Sequence, residues 1–217
     1  MPLQCHATDR TGRSESKFKK LGRNRVTDSA TSPPPPQPPS QTVLRQLIAS
    51  RDWVSQDAVA TKPSAYLTVL STAIRRFADL LTSVARQLGA TTAARTAVWR
   101  GTLHWLSGEL LEGIAAVNEC SEEGRSQMLL DVQSTALLCE SESGIRPFVN
   151  LDFLVDYIQA FYVPVREWEA WLVSQDATKR YSQHHLTGLA SCLSRGDRKT
   201  RQRLINTVNQ MYPKKPV

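Results

Sequence analysis

Apolar positions recur at steps of three and four along most of the chain. Leu67, Leu70, Ile74, Phe77, Leu81, Val84 and Leu88 are separated by 3, 4, 3, 4, 3 and 4 residues. That spacing lines them along one face of an α-helix about 33 Å long, whereas a strand would scatter them over both of its faces. Gly89 supplies a C-terminal stop, and a second rod beginning near Thr91 or Thr92 carries Trp99, Leu103, Leu106, Leu110, Ile114 and Val117. Gly101, Gly108 and Gly113 lie inside this rod and weaken it by about 1 kcal/mol each relative to alanine, so close packing against a neighbour is predicted to compensate. A third helix follows Ser121 through Met128, Leu129, Val132, Ala136, Leu137 and Cys139, with residues 141–144 reading as a turn.

Asn150 is placed to cap the next helix, with Asp152 near its positive end and Leu151, Leu154, Val155, Ile158, Phe161 and Tyr162 on one buried face. Pro164 ends that helix and suits the first turn of its successor, where Val165, Trp168, Trp171 and Leu172 share a side. Ser182 opens a helix with Leu186, Leu189 and Leu193, and Gly196 with Asp197 marks a stop and a fresh start. The last helix runs through Leu204, Ile205, Val208 and Met211 toward Pro213. Upstream, Val43, Leu44, Leu47 and Ile48 before Trp53 and Val54 suggest a short first helix, and Pro63 with Ser64 reads as the start of the second. No segment alternates with period two for long enough to argue a strand. The fold class predicted is all-α, an elongated antiparallel bundle of seven or eight helices.

Residues 1–42 break the pattern. They lack apolar periodicity, are rich in Ser, Thr, Arg and Lys, and contain Pro33, Pro34, Pro35, Pro36, Pro38 and Pro39. Consecutive prolines favour extended polyproline II and donate no backbone hydrogen bonds. The segment therefore reads as a disordered, basic, Pro-rich tail ahead of one helical domain at 43–217. A proline-ligand motif and a nuclear import signal at residues 17–25 are alternatives to a plain solvated tail. No apolar run approaches the roughly 18 to 20 residues of a membrane span, and residues 1–25 lack the apolar stretch of a signal peptide, so a cytosolic protein is expected.

Charge refines the picture through its distribution. Residues 1–42 hold 7 basic and 3 acidic side chains, residues 43–178 hold 11 and 16, and residues 179–217 hold 9 and 1. The body is acidic and its ends are basic, which selects anionic surfaces in general. Cys5, Cys120, Cys139 and Cys192 form no C-x-x-C pair and read as reduced structural thiols. No phosphate-binding glycine loop, nucleophile elbow or H-E-x-x-H occurs, so neither catalytic residues nor a cofactor or metal is assigned. His184 and His185 point about 100° apart on a helix and do not make an i, i+4 metal pair. His104 reads as an ordinary core or surface histidine, and Glu122 with Glu123 as helix-start carboxylates. Of the five tryptophans, Trp99 and Trp168 fall on the apolar stripes and are assigned to the core. The most function-like feature is the basic group Arg195, Arg198, Lys199, Arg201 and Arg203, flanking the stripe of Leu204, Ile205 and Val208. It is the candidate surface for a protein partner or an anionic membrane. Nucleic-acid binding through the basic termini is the alternative, ranked lower because no interleaved exposed aromatics or known module accompany them.

Several stretches also resemble one family. Glu123-Gly124-Arg125-Ser126-Gln127-Met128-Leu129-Leu130-Asp131-Val132-Gln133, Ile145-Arg146-Pro147 and Asp156-Tyr157-Ile158-Gln159-Ala160-Phe161-Tyr162 look like the C-terminal domain of the syndetin family. Tyr181-Ser182-Gln183-His184-His185-Leu186-Thr187-Gly188-Leu189 and Arg201-Gln202-Arg203-Leu204-Ile205 are similar to it as well, so the resemblance covers about residues 43–213. It implies a helical, non-enzymatic subunit of the endosome-associated recycling tethering complex. It further implies partners among other tethering subunits, SNAREs or small GTPases, and a cytoplasmic location peripheral to recycling endosomes or trans-Golgi membranes. Members of the family are far longer than this chain.

Overall fold

Nine α-helical segments are present among the described residues, 40–55 and 61–212 of a computed structural model. They are α1 (Ser40–Ala49), α2 (Tyr66–Gln87), α3 (Thr92–Ala115), α4 (Glu122–Ser143), α5 (Leu151–Gln159), α6 (Trp168–Ser174), α7 (Ala177–Arg180), α8 (Gln183–Leu193) and α9 (Arg198–Met211). Two 3₁₀ turns, Ala160–Tyr162 and Val165–Glu167, join α5 to α6. The all-α class is as the apolar spacing requires. The count exceeds seven or eight because the chain between Trp168 and Arg180 is cut into two short helices by Asp176, which takes a left-handed conformation. The expectations for the proline run, residues 17–25, Cys5 and Pro213 lie outside the described residues.

Helix α3 is the axis. Trp99, Leu103, Leu106, Leu110 and Ile114 are all buried on its stripe, and Ser107, Glu109 and Leu111 are buried beside them. Its C-terminal half is enclosed nearly all round because α1, α4, α5 and α8 pack against it. Thr91 and Ser121 cap α3 and α4 by accepting from Ala94 N and Gly124 N, Ser182 makes a capping box with His185, and Asp197 accepts from Lys199 N and Thr200 N.

Helix α2 leans on α4. Ser64 meets Asp131 and Arg75 meets Glu142 at 3.6 Å, the same sequence offset at both ends, so the two helices run parallel. Asp131 is a buried carboxylate that accepts from Ser64 N at 2.8 Å, from Ser64 Oγ and from Gln127 Nε2 at 2.8 Å. Ser64 therefore pins α2 to α4 and does not cap it; the N-cap position belongs to Ala65. Burial and the nearby Asp131 charge push the Tyr66 phenol far above its ordinary range.

Four further expectations need correction. The stripe of α2 is buried at Leu67 and Ile74 but opens toward its end, where Val84 is exposed and Leu88 is 77% exposed, because α4 stops at Ser143 and leaves the last turns of α2 without it. Residues 141–143 are the final turn of α4, and Gly144 in the left-handed region closes it. Asn150 occupies the cap position of α5 yet sends its Nδ2 to Ser107 Oγ at 3.1 Å and toward His104 Nδ1 at 3.2 Å, tying α5 to α3. Tyr162 is exposed, since the 3₁₀ turn after Gln159 shifts the helical phase, whereas Tyr157 is fully buried in the core and donates to His185 O at 2.7 Å.

The glycines of α3 also differ from one another. Only Gly113 meets a neighbour closely, Ile48. Gly101 and Gly108 have nothing within 4 Å of an added Cβ, so packing does not compensate there. Gly101→Ala and Gly108→Ala are expected to stabilise the protein by up to about 1 kcal/mol each in urea denaturation, and Gly113→Ala to destabilise it. A lower midpoint for either of the first two would contradict their open environment.

Candidate functional site

The chain between α8 and α9 reverses through Arg195 at φ 48° and Gly196 at φ 82° before Asp197 caps α9. This tight turn throws Arg195 over the start of α4, where its Nη2 donates to Glu122 Oε1 at 3.1 Å. One turn into α4 lies Arg125, 3% exposed. Gly124 brings this turn close to the chain before it: a Cβ there would lie 2.0 Å from the carbonyl oxygen of Trp53. Trp53 is in turn held by its own Nε1 bond to Ile48 O at 2.8 Å and by Ser121 N donating to Trp53 O at 3.0 Å.

Arg125 makes no ion pair among the described residues, and its Nε is closed off from solvent without a hydrogen-bond acceptor. Its guanidinium lies 5.2 Å from the ring centre of Tyr162 and 5.9 Å from that of Phe161, within cation–π range. Burial pushes the thiols of Cys120 and Cys192 up to about 11 and about 12, against the opposing charge of Arg125 at both and of Arg201 at Cys192. These thiols and Cys139 are buried and unbridged, as the lack of paired spacing implies. In front of Arg125 opens a recess of about 550 Å³, walled by Tyr162, Pro164 and Leu193 and edged by Glu122, Arg195 and Thr200.

The five basic residues singled out from the sequence do not form one face. Arg195 edges the recess. Arg201 sits half-buried on the inner side of α9, its Nε also without a partner. Arg198, Lys199 and Arg203 are exposed. The stripe they were read as flanking is in the core: Leu204 and Val208 are fully buried, with α9 packed on α8. Arg125 carries no signal in the sequence that sets it apart: it stands three residues after Glu122, at the spacing of an ordinary helical ion pair, whereas in the fold Glu122 is taken by Arg195.

A second polar cluster joins α1, α3 and α8. Arg45 forms a two-pronged pair with Glu109 at 2.6 and 2.7 Å, and Glu112 meets His185 Nε2 at 2.9 Å and His184 Nε2 at 3.9 Å. The two histidines thus reach the same carboxylate from neighbouring helical positions. Burial would raise the Glu112 carboxyl, but its bond to His185 and the charges of His185, Arg45 and His184 hold it below its ordinary value. The arrangement clamps three helices together. Among the described residues no helix is long and apolar enough to cross a membrane.

Fold and site together define an all-helical domain with a buried cation opening onto a partly aromatic recess. Residues 39–209 match the family model described as "Syndetin, C-terminal", and the chain belongs to that family. It is 28% identical over 167 residues to syndetin of Gallus gallus, covering 76% of this chain and 17% of the relative. To syndetin of Mus musculus it is 27% identical over 155 residues, 70% of this chain and 16% of the relative. To that of Rattus norvegicus the figures are 27% over 167 residues, 76% and 17%. The chain thus spans about a sixth of the length of the curated relatives it matches.

Proposed function

We propose that the protein is a non-enzymatic interaction domain of a vesicle-tethering complex subunit, acting in endosomal recycling toward the Golgi or the plasma membrane. Membership of the syndetin C-terminal family across residues 39–209 is the observation that carries this reading. A body of tightly interlocked helices offers partners a preorganised surface, which lowers the ordering cost of association. The partners in this reading are other tethering subunits, with SNAREs or small GTPases on the vesicle side. The location is the cytoplasmic surface of recycling endosomes or trans-Golgi membranes, held peripherally.

Affinity purification of the tagged chain from cells, with mass spectrometry of what accompanies it, tests the proposal. Tethering subunits are expected in the eluate. Their absence, with the tagged chain shown folded by a cooperative melt, would overturn it.

Arg198, Lys199 and Arg203, with Arg195 and Arg201 nearby in sequence, are the surface proposed for a partner or for anionic lipid. Because Leu204 and Val208 are buried, any lipid contact is electrostatic, about 1 kcal/mol per basic residue, without insertion. Cosedimentation with phosphatidylserine vesicles is expected to vanish between about 0.1 M and 1 M salt as the screening length shortens. Binding that persists at the higher salt would mean that the stripe inserts.

A further inference from the structure

We propose that the recess in front of Arg125 binds an acidic peptide segment, one aspartate or glutamate carboxylate lying between the guanidiniums of Arg125 and Arg195. The residue next to it in the peptide packs on Tyr162, Pro164 and Leu193.

The argument starts from the cost of Arg125. A guanidinium removed from water without a carboxylate is strongly unfavourable, and cation–π contacts with Tyr162 and Phe161 at more than 5 Å offset only part of that. Arg125 lines the recess and has no ion pair among the described residues, so the small part of its guanidinium that reaches solvent is available to a ligand there, while its orphaned Nε stays closed off. Arg195 is held at the edge by Glu122, but both side chains are about two-thirds exposed, so that pair contributes little and an incoming carboxylate can replace Glu122 as its partner. Thr200 Oγ1 is already committed to Asp197, which leaves the two guanidiniums as the donors that select the ligand.

The walls favour a peptide. An aromatic ring, a proline and a leucine suit an apolar side chain, and a volume of about 550 Å³ falls within the range of sites that enclose a small ligand. A bilayer is convex to such a hollow and cannot reach Arg125.

The inference deepens the interaction-domain reading by naming a binding chemistry. Its test uses purified protein and is separable: peptide binding without tethering subunits in cells would leave the recess standing and remove the tethering role, and the converse outcome would do the reverse. A random peptide library is displayed against the full chain, and enriched sequences are expected to share an acidic residue beside an aliphatic or aromatic one. A labelled peptide from that set is then compared with its glutamine or asparagine twin by fluorescence anisotropy. The acidic form is expected to bind about tenfold more tightly, as a charge-assisted hydrogen bond to arginine implies.

Arg195→Gln, at an exposed position, should erase most of that preference, and Arg76→Gln, exposed on α2, should leave it intact. Arg125→Met should also erase it; if that variant fails to melt cooperatively, Tyr162→Ala, exposed and on the same wall, should weaken binding of both twins. Enrichment without acidic residues, no enrichment, or a preference unchanged in Arg195→Gln would overturn the proposal. A phosphoserine twin that binds more tightly than the carboxylate in an Arg195-dependent way would also overturn it and give the recess to phosphate.

Discussion

Gly188→Ala is expected to lower the stability of the protein by about 3 kcal/mol or more, although alanine is the better helix former by about 1 kcal/mol. At the crossing of α8 and α3 the two backbones touch. A Cβ on Gly188 would lie 2.0 Å from the carbonyl oxygen of Ala115 and 3.0 Å from its carbonyl carbon. Neither atom is the free end of a flexible side chain, so the helices must separate. The contacts on either side of the crossing separate with them: His185 with Glu112 at 2.9 Å, and Cys192 Sγ with Val117 O at 3.0 Å. In urea denaturation the midpoint should fall with little change in slope. A midpoint equal to or above that of the parent protein would show that α8 and α3 do not cross this closely. Comparison with Gly108→Ala, where nothing lies near the added methyl, separates the effect of the crossing from that of helix propensity.

The same residue marks the limit of what the sequence discloses. A glycine inside a helical stripe reads as a weak point, and Gly101 and Gly108 are that, but Gly124 and Gly188 are where another backbone comes closest. Nothing in the spacing of apolar residues separates the two kinds, because the spacing describes one helix and the approach of backbones depends on a pair. Helix α2 teaches the same lesson from the other side. Its period of three and four identifies an apolar face without saying how far a neighbour extends along it, so Leu81, Val84 and Leu88 look alike on paper to Leu67 and Ile74, while Leu88 ends up in solvent. The caps at Ser121, Ser182 and Asp197 are legible because they depend on local geometry alone. The capping role of Asn150 is lost because its backbone is left-handed, at φ 60°, where a capping residue is extended, and its Nδ2 is turned to Ser107 and His104 on α3. Of the candidate site, the basic turn at Arg195 can be found from composition. Arg125 cannot, since burial and the diversion of Glu122 are properties of the folded chain.

Ile158→Asp is expected to unfold the domain near neutral pH. Ile158 is fully buried on α5 among Leu154, Tyr157 and Phe161, so aspartate there either carries a charge into apolar surroundings or binds a proton to avoid it. Both routes cost several kcal/mol, a large share of the roughly 5 to 15 kcal/mol that holds a domain folded. The two routes leave a signature. Burial raises the folded-state pKa of the new carboxyl above its unfolded value of about 4, so the native state binds the proton more tightly than the unfolded chain does. Stability of the variant should therefore fall as pH rises through the window from about 4 to that raised value, and recover part of the loss as the pH is lowered again. Ile158→Asn carries a similar polar volume without the titrating group and should be destabilised with no added pH dependence. Gln159→Asp, one position along on the exposed side of α5, should change stability by no more than about 0.5 kcal/mol. Thermal melts of the three variants across that pH range read all of these outcomes. An Ile158→Asp protein that melts where the parent does would place residue 158 in solvent and dismantle the packing of α5 against α3 and α4, on which the position of Phe161 beneath Arg125 depends.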